Sequence, residues 1–271
     1  MIIPVILVSV LLVAALYVFL VMPRAMAKPD TLPVLCDYAH RGLFDNRGGL
    51  PENSMGAFAH AVNRGVGIEL DVRLTKDGRV VVFHDEDLSR MCGKQARVCD
   101  LTYEQLKEMR LLGTDYGIPL FSEVLQMVGG RVPLLIEIKN DTLDDSICWK
   151  IAPILDRYGG EFCVQSFSPL MLRWFAKHRE DVIRGQLVTR LEGGDTWRDR
   201  VIHFLLTHML LNWMSRPDII ACDGRHQGGL DKWLCGVVFR TPFLYWTVRK
   251  RELLAINHRK GAGSIFEGFE P

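Results

Sequence analysis

Short apolar segments alternate with amphipathic helical segments from residue 34 to the end of the chain. The segments that we predict to be strands are 34–38, 67–73, 80–84, 133–138, 162–166, 183–188, 219–222 and 243–248. Each is apolar almost without interruption, which is typical of parallel strands that are covered on both faces. Eight such strands separated by helices predict a (β/α)8 barrel, that is, a TIM barrel, and a doubly wound open sheet is the alternative.

Helix-start signals precede several of the predicted helices. Thr102 and Gln105 have the spacing of a capping box. Ser168 is followed by Pro169, which is the pattern of an N-cap residue with proline at the first helical position. These signals support the alternation of strand and helix that a barrel requires.

The chain carries no charged side chain between residues 2 and 22. A run of about 20 apolar residues is long enough to cross a bilayer, so we predict an N-terminal transmembrane helix. Residues 1–27 would form this anchor and the start of a proline-rich linker, and residues 34–271 would form the barrel domain. Arg24 and Lys28 follow the apolar run, so the positive-inside rule predicts a single-pass membrane protein with its barrel in the cytoplasm.

A cleavable signal peptide is the alternative interpretation of the same segment. Ala25 and Ala27 would then supply the small residues of the cleavage site. The apolar run is longer than the roughly 7–15 residues that are usual in signal peptides, however, and no basic residue precedes it. The sequence therefore favours an uncleaved anchor.

The composition excludes several classes of protein. The 33 Lys and Arg residues nearly balance the 32 Asp and Glu residues, so no global charge points to a nucleic-acid partner. The hydrophobic content of 48% excludes disorder for most of the chain. The seven cysteines form no C-x-x-C pair, so we expect reduced and mostly buried thiols rather than a zinc site. Cys92 and Cys99, which flank a polar turn, could pair under oxidising conditions.

Polar side chains cluster near the predicted carboxyl ends of the strands, and in a parallel barrel these ends open on the one face where active sites lie. The candidates are His40, Arg41, Glu69, Asp71, His84, Glu137, Lys139 and Trp246. Glu69 and Asp71 alternate within one strand, so both point to the same side, and buried charge is costly unless it is paired or binds a metal. Together with Glu137 they predict a site for a divalent hard cation, Mg²⁺ or Ca²⁺ rather than Zn²⁺.

Structural explanations stay open for these candidates. The carboxylates could belong to an ion network with Arg73 or Lys139, without a metal. The two histidines could be hydrogen-bonded core residues, and Trp246 could be an ordinary buried aromatic residue. The other six histidines are predicted to be surface or core residues, and Asp223 is the weakest candidate.

At these residues the sequence resembles the glycerophosphodiester phosphodiesterase family, over nearly everything after residue 34. The motifs that carry the resemblance are His40-Arg41-Gly42, Pro51-Glu52-Asn53-Ser54, Gly67-Ile68-Glu69-Leu70-Asp71-Val72, Asp77-Gly78, Val82-Phe83-His84-Asp85, Ile118-Pro119, Glu123-Val124-Leu125, Ile136-Glu137-Ile138-Lys139 and Trp246-Thr247-Val248. The resemblance also implies a (β/α)8 barrel. The site residues that it implies are the cation ligands Glu69, Asp71 and Glu137, the acid/base pair His40 and His84, and the substrate-binding residues Arg41, Lys139 and Trp246.

The chain departs from the family pattern in two places. Residues 43–50 add a glycine-rich insertion to the loop after His40. Residues 261–271 lack the Thr-Asp pair that is usual in the family, and an acidic residue is displaced. The second departure concerns the closing of the barrel and one edge of the substrate pocket, not the cation site.

A further apolar stretch, at 201–214, contains His203, His208 and Asn212 and is short for a second transmembrane span. We predict that it is a barrel helix buried on the sheet. A helix lying against the bilayer beside the anchor is the alternative.

The resemblance implies a metal-dependent phosphodiester hydrolase. Its substrates would be glycerophosphodiesters or (lyso)glycerophospholipids, and its products an alcohol and a glycerol phosphate. One histidine would activate a glycerol hydroxyl, and the other would protonate the leaving alcohol. The anchor favours a lipid substrate, because it would hold the barrel against the plane of the head groups. The alternative function is a non-catalytic, membrane-tethered lipid-binding module on the same barrel.

Overall fold

A computed structural model of the protein describes residues 2–24, 35–139, 144–191, 193 and 196–271. The strands are β1 (Asp37–Ala39), β2 (Gly67–Leu74), β3 (Val80–Val82), β4 (Leu134–Ile138), β5 (Phe162–Ser166), β6 (Ile183–Val188), β7 (Ile219–Asp223), β8 (Phe243–Val248) and β9 (Gly263–Phe266). The α-helices are α1 (Ile2–Val21), α2 (Met55–Asn63), α3 (Ser89–Cys92), α4 (Tyr103–Leu106), α5 (Phe121–Val128), α6 (Ser146–Leu155), α7 (Pro169–His178), α8 (Trp197–Thr207), α9 (Asn212–Ser215), α10 (Leu230–Trp233) and α11 (Arg251–Arg259). A π-helical turn, Leu234–Val238, continues α10.

Eight of the strands close into a parallel barrel. Their order around the barrel is β1, β2, β4, β5, β6, β7, β8 and β9, and β9 pairs with β1. The pairing of β1 with both β2 and β9 excludes the open sheet that was the alternative. The fold is therefore the (β/α)8 barrel that the alternation of strands and helices predicts.

One predicted barrel strand lies outside the barrel. β3 pairs with β2 in antiparallel orientation, with Val82 opposite Val72. The turn between these strands is short and contains Gly78 at a φ of 73°, and so short a connection can join only antiparallel neighbours. The prediction of a parallel strand at 80–84 is therefore wrong, and His84 lies in the loop beyond β3.

The eighth barrel strand is β9, a segment that the sequence pattern did not mark as a strand. Gly263 allows β9 to approach β1 closely, because a Cβ atom there would lie 2.3 Å from the carbonyl oxygen of Cys36. The barrel thus closes through the segment in which the chain departs from the family pattern.

Alternation along β2 separates the outer core from the barrel interior. Ile68, Leu70 and Val72 pack in the core between the sheet and the helices. Glu69 and Asp71 occupy the intervening positions and face the interior. A second apolar cluster fills the barrel, and its members include Tyr38, Leu135, Cys163, Leu187, Ile219, Leu244 and Ile265. This part of the interior is apolar, whereas polar residues such as Gln165, which donates to Glu69 at 3.3 Å, lie beside the carboxylates.

The helix-start signals are confirmed. Thr102 and Gln105 form a capping box at α4, and Pro169 is the first residue of α7 after the N-cap Ser168. The seven cysteines are free thiols, and four of them are buried.

Helix α1 is, among the described residues, the one helix long and apolar enough to cross a membrane, over Ile3–Val21. Its residues 3–16 are exposed, whereas Val21 is buried in a cluster that includes Ile220 of β7. Most of the predicted linker and the alternative cleavage site fall in 25–34, which lie outside the described residues.

The apolar stretch 201–214 does not form one buried helix. α8 ends at Thr207, the chain turns at Met209 with a φ of 53°, and α9 then packs against α7. No residue of α8 is buried. The prediction of a helix buried on the sheet is therefore wrong for α8, and the short helix α9 packs against the helices α7 and α1 rather than on the sheet.

Candidate active site

The carboxyl ends of the barrel strands surround a cavity of about 430 Å³. Seven of the eight predicted site residues line it, namely His40, Arg41, Glu69, His84, Glu137, Lys139 and Trp246. The eighth, Asp71, is fully buried and lies 2.9 Å from the Nζ atom of Lys139. The structure thus brings all eight residues together.

Three carboxylates meet in this cavity. Asp71 and Glu137 are paired positions on the neighbouring strands β2 and β4, and Glu69 lies two residues before Asp71. One oxygen of each carboxylate lies within 4.8 Å of the others, and all three residues are buried. A cluster of oxygen ligands without sulfur or imidazole suits Mg²⁺ or Ca²⁺.

Two cationic side chains pair with the cluster, and the first, Arg41, places its Nε atom 3.6 Å from Oδ2 of Asp71. The Nζ atom of Lys139 lies 2.6 Å from Oε1 of Glu137 and 2.9 Å from Oδ1 of Asp71. Burial and the adjacent charge of Asp71 raise the pKa of Glu69 to about 8. Although burial would raise the pKa of Asp71 as well, the charge of Lys139 holds it below its usual range. A buried carboxylate with a raised pKa beside other carboxylates is a place where a divalent cation would be stabilising.

His40 follows β1 at the edge of the cavity. Its backbone N–H donates to the carbonyl oxygen of Phe266 at 2.9 Å, and its ring Nδ1 lies 2.5 Å from Oε2 of Glu267. Burial alone would lower the pKa of His40, but the hydrogen bond to Glu267 and the charge of Glu69 raise it above 6.5. With Nδ1 donating to a carboxylate, Nε2 is the nitrogen left for proton transfer.

His84 lies in the loop after β3. Its Nδ1 is 2.6 Å from Oδ1 of Asp85, and its carbonyl oxygen accepts two hydrogen bonds from Arg73, at 3.0 and 2.7 Å. Burial, assisted by the charge of Lys139, lowers the pKa of His84 in spite of the opposing charge of Asp71. The pKa values of the two histidines are thus displaced in opposite directions. The ion network that was the alternative forms in part. Lys139 pairs with Asp71 and Glu137, whereas Arg73 donates to the loop of His84.

The loop after β1 has a backbone conformation that is uncommon for side-chain-bearing residues. Arg41 has a φ of 56°, and its backbone N–H donates to Oε2 of Glu69 at 3.0 Å. Gly42 has a φ of 83°, and a Cβ atom there would lie 2.9 Å from the carbonyl carbon of Ala57. The side chain of Arg41 is held by Glu52, with 2.5 Å between Nη1 and Oε1. Such a conformation persists only where the surrounding contacts fix it, as in functional loops.

A chain of ion pairs connects the loops of the two histidines. Arg90 lies 2.6 Å from Asp85 and 2.7 Å from Glu52, and these carboxylates bind His84 and Arg41. In spite of burial, the hydrogen bonds from Arg90 lower the pKa of both carboxylates to about 2. Sequence analysis did not single out Arg90, because it lies on the short helix α3 and not at a strand end.

Trp246 forms part of an apolar wall of the cavity. Its Nε1 donates to the carbonyl oxygen of Ala221 at 2.9 Å, and its ring meets Phe167 edge-on at 5.7 Å. Leu187 lines the same wall. The side chain is half-buried and lines the cavity, so it is not an ordinary core residue.

Glu267 is the principal site residue that sequence analysis missed. It follows β9, binds His40, and accepts a hydrogen bond from Arg249 at 2.8 Å. The only signal was the displaced acidic residue in a segment that departs from the family pattern. Asp223, the weakest candidate, pairs with Arg225 and does not line the cavity. In the part of the chain that the structure describes, none of the other six histidines lines it either.

Solved structures share this architecture. A phosphodiesterase from Oleispira antarctica, in complex with the product sn-glycerol-3-phosphate, gives a TM-score of 0.69 at 20% identity, over 86% of this chain and 92% of that one. A glycerophosphodiester phosphodiesterase from Thermotoga maritima gives a TM-score of 0.64 at 26% identity, over 86% and 94%. The fold is therefore that of the phosphodiesterase class of (β/α)8 barrels.

Residues 40–203 match the glycerophosphoryl diester phosphodiesterase family, and because they make up more than half of the chain, the protein belongs to that family. A glycerophosphodiester phosphodiesterase of Bacillus altitudinis is 46% identical over 109 residues, which are 38% of this chain and 43% of that protein. A lysophospholipase D of Homo sapiens is 35% identical over 136 residues, 45% of this chain and 41% of that protein. The chain thus spans less than half the length of these two relatives.

Proposed function

We propose that the protein is a metal-dependent phosphodiester hydrolase that converts glycerophosphodiesters or (lyso)glycerophospholipids into an alcohol and a glycerol phosphate. The observation that carries the proposal is one cavity that joins the cluster of Glu69, Asp71 and Glu137 to His40 and His84. Membership of the family supports it. The names of the two relatives, a glycerophosphodiester phosphodiesterase and a lysophospholipase D, agree with it.

The cation ligands in this proposal are Glu69, Asp71 and Glu137. Their burial, their mutual distances and the raised pKa of Glu69 support binding of Mg²⁺ or Ca²⁺. When bound, the cation would act as a Lewis acid that stabilises negative charge on the phosphate.

We assign His84 as the base and His40 as the acid. A lowered pKa keeps His84 neutral near neutral pH, so its ring can accept a proton from the attacking glycerol hydroxyl. A raised pKa favours the protonated form of His40, which can give a proton to the leaving alcohol. The attacking oxygen bonds to phosphorus as the bond to the leaving oxygen breaks, which releases the alcohol and gives a cyclic glycerol phosphate. Water then opens this ring with the roles of the two histidines reversed, so that His40 takes a proton from water and His84 gives one to the departing glycerol oxygen. The net reaction consumes one water molecule and gives the alcohol and a glycerol phosphate.

Arg41, Lys139 and Trp246 would bind the substrate. Arg41 offers a fork of N–H donors to phosphate oxygens, and its pair with Glu52 keeps that fork in place. Lys139 adds a point charge at the carboxylate cluster. Trp246 gives an apolar wall for the carbon atoms of the substrate.

The docking of α1 supports an uncleaved anchor rather than a signal peptide. Val21 is buried, and Asn212 donates to its carbonyl oxygen at 2.9 Å, so removing α1 would expose part of the barrel's packing. We propose a single-pass membrane protein with an anchor at 1–27 and a barrel at 34–271. Arg24 after the helix supports a cytoplasmic barrel by the positive-inside rule.

The test is an assay of the full chain in detergent micelles. Glycerophosphocholine, lysophosphatidylcholine and diacyl phosphatidylcholine are offered in turn with EDTA, Mg²⁺ or Ca²⁺, and released choline is measured. We expect release that EDTA abolishes and that Glu69→Gln abolishes too. Asp223→Asn, which changes a buried carboxylate outside the cluster, should retain activity. Absence of metal-dependent release from all three substrates would overturn the hydrolase and leave the lipid-binding module.

A further inference from the structure

Helix α1 runs along the outside of β7 in a definite direction. The backbone N–H of Arg24 donates to the carbonyl oxygen of Pro217 at 3.0 Å, and its side chain lies 3.5 Å from Asp218, so the helix ends beside the amino end of β7. Tyr17, about two turns earlier, packs against the cluster of Val21 and lies within electrostatic range of Asp231. Asp231 belongs to α10, which follows the carboxyl end of β7.

The exposed part of α1 therefore projects beyond the carboxyl end of the barrel, which is the end at which the cavity opens. Residues 3–16 are all exposed. A hydrocarbon core of about 30 Å needs about 20 helical residues, so these 14 residues, which extend roughly 21 Å at about 1.5 Å per residue, cross it together with the packed turn from Tyr17 to Val21. A bilayer crossed by them lies on the side of the cavity mouth.

The packed end of α1 is fixed to the barrel by side chains of α9 and its surroundings. Asn212 donates to the carbonyl oxygen of Val21, and Arg216 donates to that of Met22 at 2.8 Å. The guanidinium of Arg216 also lies 4.8 Å from the ring centre of Phe19. The anchor therefore sets the orientation of the whole barrel relative to the membrane.

Helix α8 lies at the same end of the barrel. It leaves from the carboxyl end of β6 and returns there, because the backbone N–H of Leu191 donates to Oγ1 of Thr207 at 3.2 Å. His208, which follows α8, lies 3.8 Å from Asp231, the residue that lies within electrostatic range of Tyr17. α8 thus stands next to the point at which α1 leaves the barrel.

One side of α8 is apolar and exposed. Trp197, Val201 and Phe204 follow one another at i, i+4 and i+7 and so lie on one side of the helix. Trp197 is 71% exposed and Phe204 57% exposed. Arg198 and Arg200 share the helix, and a short helix with aromatic and arginine side chains is typical of the membrane interface.

We propose that the carboxyl end of the barrel rests on the bilayer, with α1 crossing it and α8 lying in the lipid interface. A bilayer is the occupant that the structure favours, because α8 ends at His208, beside the Asp231 that lies near Tyr17 of a helix of membrane-spanning length. The cavity then opens on the plane of the head groups. A lipid substrate could then reach the site from the membrane without passing through water. This consequence for the choice of substrate rests on the proposed function.

The first test measures the depth of single tryptophans in the full chain, reconstituted into vesicles of brominated phosphatidylcholine. Bromine quenches tryptophan fluorescence on contact. We expect Trp197→Phe to remove a quenched component of the emission. Trp149→Phe is the matched control, because Trp149 is 55% exposed on α6, away from α1, and should contribute an unquenched component. Equal quenching of the two residues, or cross-linking of α8 to a second copy or another protein, would overturn the inference.

The second test separates docking from chemistry. The double substitution Trp197→Ser and Phe204→Ser changes no buried residue, so the barrel should stay folded. Turnover of lysophosphatidylcholine in vesicles should fall by about tenfold, whereas turnover of soluble glycerophosphocholine should stay within about twofold. Equal effects on both substrates would contradict docking. If the unaltered protein hydrolysed neither substrate, the proposed function would be overturned. The quenching experiment would still show whether α8 lies in the lipid interface.

Discussion

The ring Nδ1 of His40 lies 2.5 Å from Oε2 of Glu267, a residue 227 positions further along the chain. The two meet because β9 closes the barrel beside β1. The hydrogen bond from His40 lowers the pKa of Glu267 to about 2 and, in return, helps to raise the pKa of His40. Glu267 is therefore a positioning residue, which orients the imidazole and stabilises its protonated form.

Replacing this carboxylate, in Glu267→Gln, should lower the pKa of His40. A protonated His40 acts as the acid in the proposed mechanism, so activity is lost as the pH rises through its pKa. The falling limb of the kcat/KM profile should therefore move to lower pH, with kcat reduced by about tenfold at neutral pH. Glu267→Asp should restore part of the shift, and the exposed Glu270→Gln should leave the profile unchanged. An unmoved limb in Glu267→Gln would contradict the role.

Removing either histidine should reduce turnover much further. His40→Ala or His84→Ala should leave a folded protein with kcat lower by about 10²–10⁴. The exposed His258, which pairs with Asp37, supplies the control variant His258→Ala. Full metal-dependent activity in either site variant, measured with the same preparation that shows native circular dichroism, would remove that histidine from the mechanism.

Cation binding should be coupled to proton release. The pKa of Glu69 is about 8 without a cation, so below that pH the carboxyl must lose its proton before it can bind the metal. Affinity should rise with pH up to about 8, and calorimetry in buffers of different ionisation enthalpy should detect the released proton. Glu69→Gln should bind the cation more weakly, whereas Asp223→Asn should bind normally. Equal affinity in Glu69→Gln and the unaltered protein would exclude Glu69 as a ligand.

The raised pKa of Glu69 also predicts how the free energy of unfolding depends on pH when EDTA has removed divalent cations. A folded-state pKa raised above the unfolded value of 4.5 favours the protonated form in the folded protein. The stabilising contribution of Glu69 to the free energy of unfolding is therefore fully present below about pH 4.5 and is lost as the pH rises through about 8. Denaturation of the protein in micelles should show this loss, and a saturating cation should reverse it. A stability that is independent of pH over this range would contradict the burial of Glu69.

The attachment of α1 should contribute to the stability of the barrel. In Asn212→Ala the buried carbonyl oxygen of Val21 loses its N–H donor, which should lower the free energy of unfolding by about 1–3 kcal/mol. Urea denaturation in micelles, followed by tryptophan fluorescence, measures the change. Gln126→Ala, an exposed substitution on α5, is the reference and should have no effect. If Asn212→Ala had the same free energy of unfolding as Gln126→Ala, α1 would not be docked on the barrel.

Residues whose roles depend on local pattern could be predicted from the sequence. Glu69 and Asp71 stand two apart in an otherwise apolar strand, and only an inward-facing polar site explains that spacing. His40 and Trp246 are at the carboxyl ends of predicted strands, and a parallel barrel brings such ends together. These residues could thus be predicted to share one site without knowledge of their side-chain contacts.

Features that depend on distant partners could not be predicted in this way. β3 has the apolar composition of a barrel strand, and only its short turn directs it outward. β9 is four residues long and is defined by close contact with β1 at Gly263 rather than by its own pattern. The partners Glu267 and Arg90 are likewise chosen by tertiary structure. An apolar segment such as α8 misleads a sequence-based prediction, because its composition is that of a buried helix although the barrel leaves it uncovered.

The position of β9 after every other strand links the timing of assembly to that of activity. The ring of strands cannot be sealed until β9 has been synthesised, and the same segment delivers Glu267 to His40. A nascent chain on the ribosome, with the first seven barrel strands already emerged, holds His40 and the residues of the carboxylate cluster but not Glu267. In the proposed mechanism, the pairing that favours the protonated form of His40 therefore forms only when the barrel closes.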